Sequence, residues 1–132
     1  KEILKNARTL SSFVFENTFE TFDDYLNKSG AHTGGVSTKP SNTETFKDTQ
    51  DLIGFIQLKE INGRLCFLFG GFHEVHVKKY DLYYNMLLKI IEVGIEKKVN
   101  SIEFGQTAEE SKLKIGCREV DKYLYVHTAI LF

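Results

Sequence analysis

The residues from Gly70 to Val120, GGFHEVHVKKYDLYYNMLLKIIEVGIEKKVNSIEFGQTAEESKLKIGCREV, decide the fold of this chain. Their apolar residues change from the alternating spacing of a strand to the spacing of a helix and back again. This pattern predicts a strand, a helix, a second strand, a short helix and the start of a third strand. Two strands joined by a crossover helix of about four turns can lie parallel, with the helix across one face of the sheet.

The element bounds follow from local signals in this stretch. Val75-His76-Val77 resumes strand character after Gly70-Gly71, a pair that indicates either a close backbone approach or a simple bend. Asp81 is a good N-cap residue for the crossover helix, which we expect to end near Lys97-Lys98. The later elements are predicted, in chain order, as strand 101–104, helix 108–115 and strand 117–131.

The residues before this stretch predict a hairpin and a separate N-terminal part. Strands 52–60 and 64–69 are expected to pair across Ile61-Asn62-Gly63, since Asn-Gly between β-rich runs favours a hairpin. The fold class is therefore α/β (α+β), a mixed and mostly antiparallel sheet with one central parallel pair, between 75–77 and 101–104. Further upstream we expect a helical turn or two in 1–10, a strand at 13–15 and a short helix over 18–28 capped by Thr21.

Residues 29–51 are rich in glycine and small polar side chains, and they contain the only proline. Such a composition cannot bury a core of its own, so the segment is predicted to be a flexible polar linker. The chain then divides into 1–51, a short helix with a linker, and 52–132, the core domain.

Composition limits the function classes. The formal net charge of −1 gives no basic field for nucleic acid, and no apolar run reaches the ~20 residues of a membrane span. Cys66 and Cys117 are 51 residues apart without a CxxC pattern, which favours two reduced thiols over a disulfide or a metal pair. With no signal peptide at its start, the chain is expected to be cytoplasmic.

The order of these elements and three short motifs resemble a known family. Val75-His76-Val77, Phe104-Gly105-Gln106 and Lys112-Leu113-Lys114-Ile115-Gly116-Cys117 stand in the order found in the C-terminal half of the GNAT superfamily of N-acyltransferases. Many members of that family have a Y-x-x-x-G-F motif at this position. With Lys112 in place of the tyrosine, the chain is more similar to the FemAB-like, peptidoglycan-type branch. The resemblance covers about residues 52 to 128, so the chain resembles a partial or shortened copy.

The resemblance implies an acyl-CoA such as acetyl-CoA as cofactor, lying beside the central strand. It assigns cofactor contacts to Val75, Val77, Gln106 and Lys112, and the alternative for the last two is a capping and surface role. Residues 78–84 lack the glycines whose amides cradle pyrophosphate in most acyl-CoA-dependent members, and Asp81 adds a negative charge there. Lys78 and Lys79 are the residues that could hold the phosphates by charge instead.

An acyl transfer to an amine needs a base and a proton donor. Glu74 and His76 are the candidate catalytic residues on the central strand. Tyr123 is the candidate proton donor on the last strand, where ordinary packing of strand aromatics is the favoured alternative. The alternative for Glu74 and His76 is the solvated side of that strand. A metal site is disfavoured, because His73 and His76 would face opposite sides of a strand.

Two function classes stay open. One is a GNAT-like N-acyltransferase acting on an amine of a small molecule, a peptide or a cell-wall precursor, either with acyl-CoA or with an aminoacyl donor. The other is a non-catalytic GNAT-like domain that binds a ligand or a second subunit. The expected partner is a homodimer mate or a second GNAT domain, reached through the apolar end 129–132.

Overall fold

The computed structural model describes residues 2–30, 43–48 and 51–129. Within them the chain forms eight strands and four helices. In chain order these are β1 (Glu2–Arg8), β2 (Ser12–Glu16), α1 (Phe22–Ser29), β3 (Thr43–Asp48), β4 (Asp51–Ile61), β5 (Arg64–Phe72), α2 (Glu74–Tyr80), α3 (Leu82–Glu96), β6 (Ser101–Gly105), α4 (Glu109–Lys114), β7 (Arg118–Val120) and β8 (Tyr123–Ala129).

Six of the strands form one mixed sheet in the order β3-β4-β5-β6-β2-β7. Its neighbours are antiparallel except for β5 and β6, which run parallel from Arg64 opposite Ser101 to Cys66 opposite Glu103. Helix α3 provides the crossover between these two strands. The predicted fold class is therefore confirmed: a mixed, mostly antiparallel sheet with one parallel pair and a crossover helix.

Helix α3 packs its apolar face on this sheet and forms the centre of the core. Met86, Ile90 and Val93 are each at most 2% exposed, and Gly94 lies closest to Ile102 of β6. Burying a large aliphatic side chain contributes about 1.5–3 kcal/mol, so this face holds the parallel pair in place. Helix α1 begins with the predicted cap, because the Asp24 amide donates to Thr21 Oγ1 at 3.1 Å.

The predicted hairpin is also confirmed. Strands β4 and β5 pair across Asn62 and Gly63, which have φ angles of 51° and 75°. Two consecutive positive φ angles are what a two-residue type I′ turn requires, and Asn-Gly tolerates them best.

Two predictions about elements were wrong, and a third was right only in position. Residues 75–77 belong to helix α2, so the strand of the parallel pair is β5 and the pair is 64–66 with 101–103. Residues 2–8 form strand β1 instead of a helical turn, because they pair with β8 at the other end of the chain. Asp81 stands at the start of α3, but its backbone is left-handed and its side chain makes no capping hydrogen bond. The strand expected over 117–131 is divided between β7 and β8, which belong to different sheets.

The segment before residue 52 contributes more to the core than the sequence suggests. Strand β3, within the expected linker 29–51, pairs with β4, and β2 lies between β6 and β7. The sheet therefore begins well before residue 52. Residues 31–42 and 49–50 of that linker, and 130–132 of the expected apolar contact, lie outside the described residues.

Candidate functional site

The candidate site is the place where the parallel pair comes apart. The ladder between β5 and β6 ends at Cys66 and Glu103, although β5 continues to Phe72. Leu68 is an extra residue in β5, since Leu58 pairs with Phe67 and Gln57 with Phe69. Such a bulge bends a strand locally. We call the region between residues 67–72 of β5 and residues 104–106 at the end of β6, where no ladder pair joins the two segments, the cleft.

The residues of β5 that border the cleft include apolar side chains exposed to solvent. Leu68 is 52% and Phe69 58% exposed, and the backbone edge of 67–70 that faces β6 has no strand partner among the described residues. Gly70 keeps β5 close to the core, because a Cβ there would lie 2.9 Å from Met86 Cε and from the Phe55 carbonyl oxygen. The glycine pair thus reflects a close approach, one of the two alternatives indicated by the sequence.

The narrow end of the cleft carries polar groups. Glu103 is the ladder partner of Cys66, and its side chain is 19% exposed. The Ser12 hydroxyl donates a hydrogen bond to the Glu103 carboxylate, and the Lys122 ammonium lies 3.6 Å from it. A carboxylate held this way has a fixed orientation and can accept a proton from a group that enters the cleft.

Lys112 supports the end of β6 from beneath. Its side chain is 2% exposed and donates hydrogen bonds to the carbonyl oxygens of Phe104 at 2.8 Å, Gly105 at 3.3 Å and Gln106 at 2.7 Å. Burial lowers the pKa of this ammonium, while Cys117 and Glu103 act in the opposite direction. Since an ammonium has three donors, Lys112 uses them on the backbone, which makes it a positioning residue for the cleft.

The loop after β6 bends sharply around this lysine. Gly105, Thr107 and Ala108 have φ angles of 73°, 65° and 51°. The exposed Gln106 side chain donates from Nε2 to the Leu10 carbonyl at 2.8 Å, which ties the loop to the segment before β2. A cavity of about 450 Å³ opens beside the loop, and Glu109 and Glu119 are among its lining residues.

The residues predicted from the central strand lie on α2 instead, directly after the end of β5. Glu74 and Val75 are exposed, and the rings of His73 and His76 are 5.4 Å apart. The carboxyl ends of parallel strands meet at one edge of a sheet, so α2 and Gln106 belong to the same edge as the cleft. Val77 is half-buried and Lys78 exposed, while the Lys79 side chain lies outside the description.

Tyr123 does not belong to the main sheet, so the sheet does not place it at the edge of the cleft. It lies on β8, which pairs with β1 in a separate two-stranded sheet, and it is 52% exposed. Sequence reasoning missed Ser12 and Glu103 as site residues. For Glu103 the one sequence signal was its position between the apolar residues Ile102 and Phe104. For Ser12 there was none, because only the fold brings it close to Glu103.

The two free thiols should differ strongly in reactivity. Burial raises the pKa of Cys117 to about 12, whereas Cys66 is half-buried at the narrow end of the cleft. Because the thiolate is the reactive form, we expect iodoacetamide at pH 8 to modify Cys66 about 100-fold faster. Peptide mass spectrometry of timed samples measures both rates. Equal rates in the folded protein would contradict this placement, and urea-unfolded protein provides the control in which both cysteines react.

None of the described helices combines the length and apolar character needed to cross a membrane. No family model, no curated protein and no solved structure matches this chain.

Proposed function

We propose that the chain is a GNAT-like N-acyltransferase domain whose acyl donor lies in the cleft between β5 and β6. The observation that carries the proposal is the early end of the parallel ladder, which has three residue pairs, while β5 continues to Phe72 paired only with β4. An open strand edge offers amide and carbonyl groups to an extended ligand. The pantetheine arm of acyl-CoA contains two amides that can pair with such an edge.

The cleft also gives the donor a direction. Its outer end lies next to α2, where Lys78 is exposed and can attract phosphates together with Lys79. Its narrow end holds Cys66 and Glu103. We therefore place the phosphates at α2 and the acyl group near Glu103, beside the apolar side chains of β5.

The acceptor in this proposal is an amine that enters through the cavity beside loop 105–108. Glu109 and Glu119 in the cavity wall attract its ammonium form. Glu103 takes the proton, the free amine attacks the acyl carbonyl, and the thiolate leaves with a proton from solvent. His76 lies on α2 at the phosphate end and Tyr123 on β8 outside the main sheet, so neither is the proton donor in this arrangement. Glu74, the base expected from the sequence, lies on α2 and would serve as base only if the acyl group lay at that outer end instead.

A second candidate function is a non-catalytic GNAT-like domain that binds a ligand or a second subunit. The observation that favours it is the start of α3. Asp81 places a carboxylate at the helix N-terminus, where the pyrophosphate of an acyl-CoA would otherwise be stabilised. In this case Lys112 and the bent loop would serve only to hold the sheet. A cytoplasmic location, which suits two free thiols, belongs to both candidates.

The acyltransferase proposal predicts that acetyl-CoA stabilises the folded protein. At ten times the dissociation constant a ligand adds about 1.4 kcal/mol, which raises Tm by roughly 3–6 °C in a domain of this size. A thermal-shift titration measures this rise, and adenosine should give little of it. The Lys78→Ala/Lys79→Ala variant should weaken acetyl-CoA binding, whereas Lys59→Ala, an exposed lysine on β4, should not. No rise at millimolar acetyl-CoA would reject this donor and favour the non-catalytic alternative.

A further inference from the structure

A second cavity, of about 430 Å³, lies at the other end of the main sheet. It is formed between α1, the β2–β7 edge and the turn after α4. The cleft separates β5 from β6, whereas this cavity lies beyond β2 in the strand order. None of the residues of the cleft lines it, so the two sites are distinct. We call this cavity the aromatic groove.

The floor of the aromatic groove is a packed set of rings. Phe15 stacks on Phe19 with a centroid distance of 6.0 Å, and Tyr25 meets both rings edge-on at 5.7 and 5.3 Å. The Tyr25 hydroxyl donates to the Ile115 carbonyl at 3.0 Å. Phe15 and Tyr25 are almost fully buried, while Phe19 is half-buried. The rings are therefore fixed before any ligand arrives, and Phe19 is the one open to contact.

The rim of the groove is positively charged. Lys28, Lys114 and Arg118 line it against Glu16, and Asp24 pairs with Lys28 from outside the lining, so these five side chains carry a formal charge of +1 on a chain whose net charge is −1. An excess of positive charge around a cavity attracts anionic ligands. The groove thus differs from the rest of the chain in the sign of its charge.

Contacts on the rim orient these cations without using up their donors. Glu16 Oε1 accepts from Arg118 Nε at 3.2 Å and Nη2 at 2.7 Å, which leaves three of the five guanidinium N–H groups. The Lys28 ammonium lies 3.2 Å from Asp24 and 5.5 Å from the centre of the Phe19 ring. The Lys114 ammonium lies over the Tyr84 ring at 5.1 Å.

We propose that the aromatic groove binds a small organic anion in which a phosphate or carboxylate is joined to a planar aromatic body. The planar part packs against the half-buried Phe19 side chain, and the anionic group lies between Lys114 and Arg118. An apolar floor with a few convergent charges is the usual composition of a small-molecule site, and the volume of the groove falls in the usual range. Neither half of such a ligand satisfies the site alone.

Isothermal titration tests this with phenyl phosphate and benzoate as probes, and with inorganic phosphate and phenol as the separate halves. We expect at least one probe to bind with a Kd of about 1 mM or tighter, and both halves to bind about tenfold more weakly. Lys114→Ala and Arg118→Ala should each raise that Kd roughly threefold to tenfold, whereas Lys59→Ala should leave it unchanged. Both altered side chains are exposed, so the variants should fold.

Three results would overturn the proposal: neither probe binds, inorganic phosphate alone binds as tightly as phenyl phosphate, or the affinity is the same in all variants. The Lys78→Ala/Lys79→Ala variant provides the separation from the cleft, because neither lysine is among the lining residues of the groove. It should leave the Kd of phenyl phosphate and benzoate as in the wild type, so failure at one site can be distinguished from failure at the other.

Discussion

Replacing Lys112 by methionine is expected to lower the free energy of unfolding by about 3–5 kcal/mol. Methionine retains most of the buried volume but has no donor, so the carbonyl oxygens of residues 104, 105 and 106 lose the hydrogen bonds they accept from Nζ. Each buried acceptor left unsatisfied costs about 1–3 kcal/mol. The midpoint of urea unfolding, measured by circular dichroism, gives the change.

Lys114→Met is the matched control for this variant. It makes the same change two residues away on α4, where the side chain is exposed, and it should alter stability by at most about 0.5 kcal/mol. If Lys112→Met were as stable as Lys114→Met, the three hydrogen bonds would not hold the end of β6. Lys112 would then not be a positioning residue for the cleft.

Gly94→Ala should destabilise the protein by about 1–2 kcal/mol, although alanine is the better helix former. A Cβ at residue 94 would lie 2.5 Å from Ile102 Cδ1, 3.0 Å from its Cγ1 and 3.3 Å from Val99 Cγ2. Ile102 is fully buried in β6, so its side chain has little room to move. The overpacking therefore outweighs the gain in helix propensity of about 1 kcal/mol.

A double-mutant cycle separates these two effects. Ile102→Val removes the Cδ1 atom that the new methyl group would meet, and alone it should cost about 0.5–1.5 kcal/mol. Combined with Gly94→Ala it should cost less than the sum of the single changes, because the clash is relieved. Additive losses in urea unfolding would mean that α3 and β6 are not in close contact at this point.

The sequence predicted the elements whose signals are local. The Asn62-Gly63 turn, the Thr21 cap and the long apolar face of α3 each depend on residues a few positions apart, and the structure contains all three. Strand β1 was missed because its partner is β8, more than a hundred residues away. Helix α2 was missed because its seven residues place Val75 and Val77 at the alternating spacing of a strand.

The candidate site was less accessible to sequence reasoning, because contacts between distant residues create it. The bond from Ser12 to Glu103 spans 91 positions, and the bulge at Leu68 depends on the register with β4. Lys112 was singled out by a motif, yet only its surroundings reveal that its donors are used on the backbone. The parallel pair uses residues 64–66 of β5 instead of 75–77. Glu74 and His76 therefore lie on helix α2 at the edge of the cleft, and not on the predicted strand.

The most direct test of the central claim is the alkylation rate of Cys66 with and without acetyl-CoA. If the donor lies in the cleft with its acyl group at the narrow end, saturating acetyl-CoA should slow the reaction of Cys66 with iodoacetamide about tenfold or more. Adenosine should leave the rate unchanged, and the buried Cys117 provides an internal reference for unfolding. An unchanged Cys66 rate at a concentration of acetyl-CoA that raises Tm would place the ligand elsewhere and contradict the account.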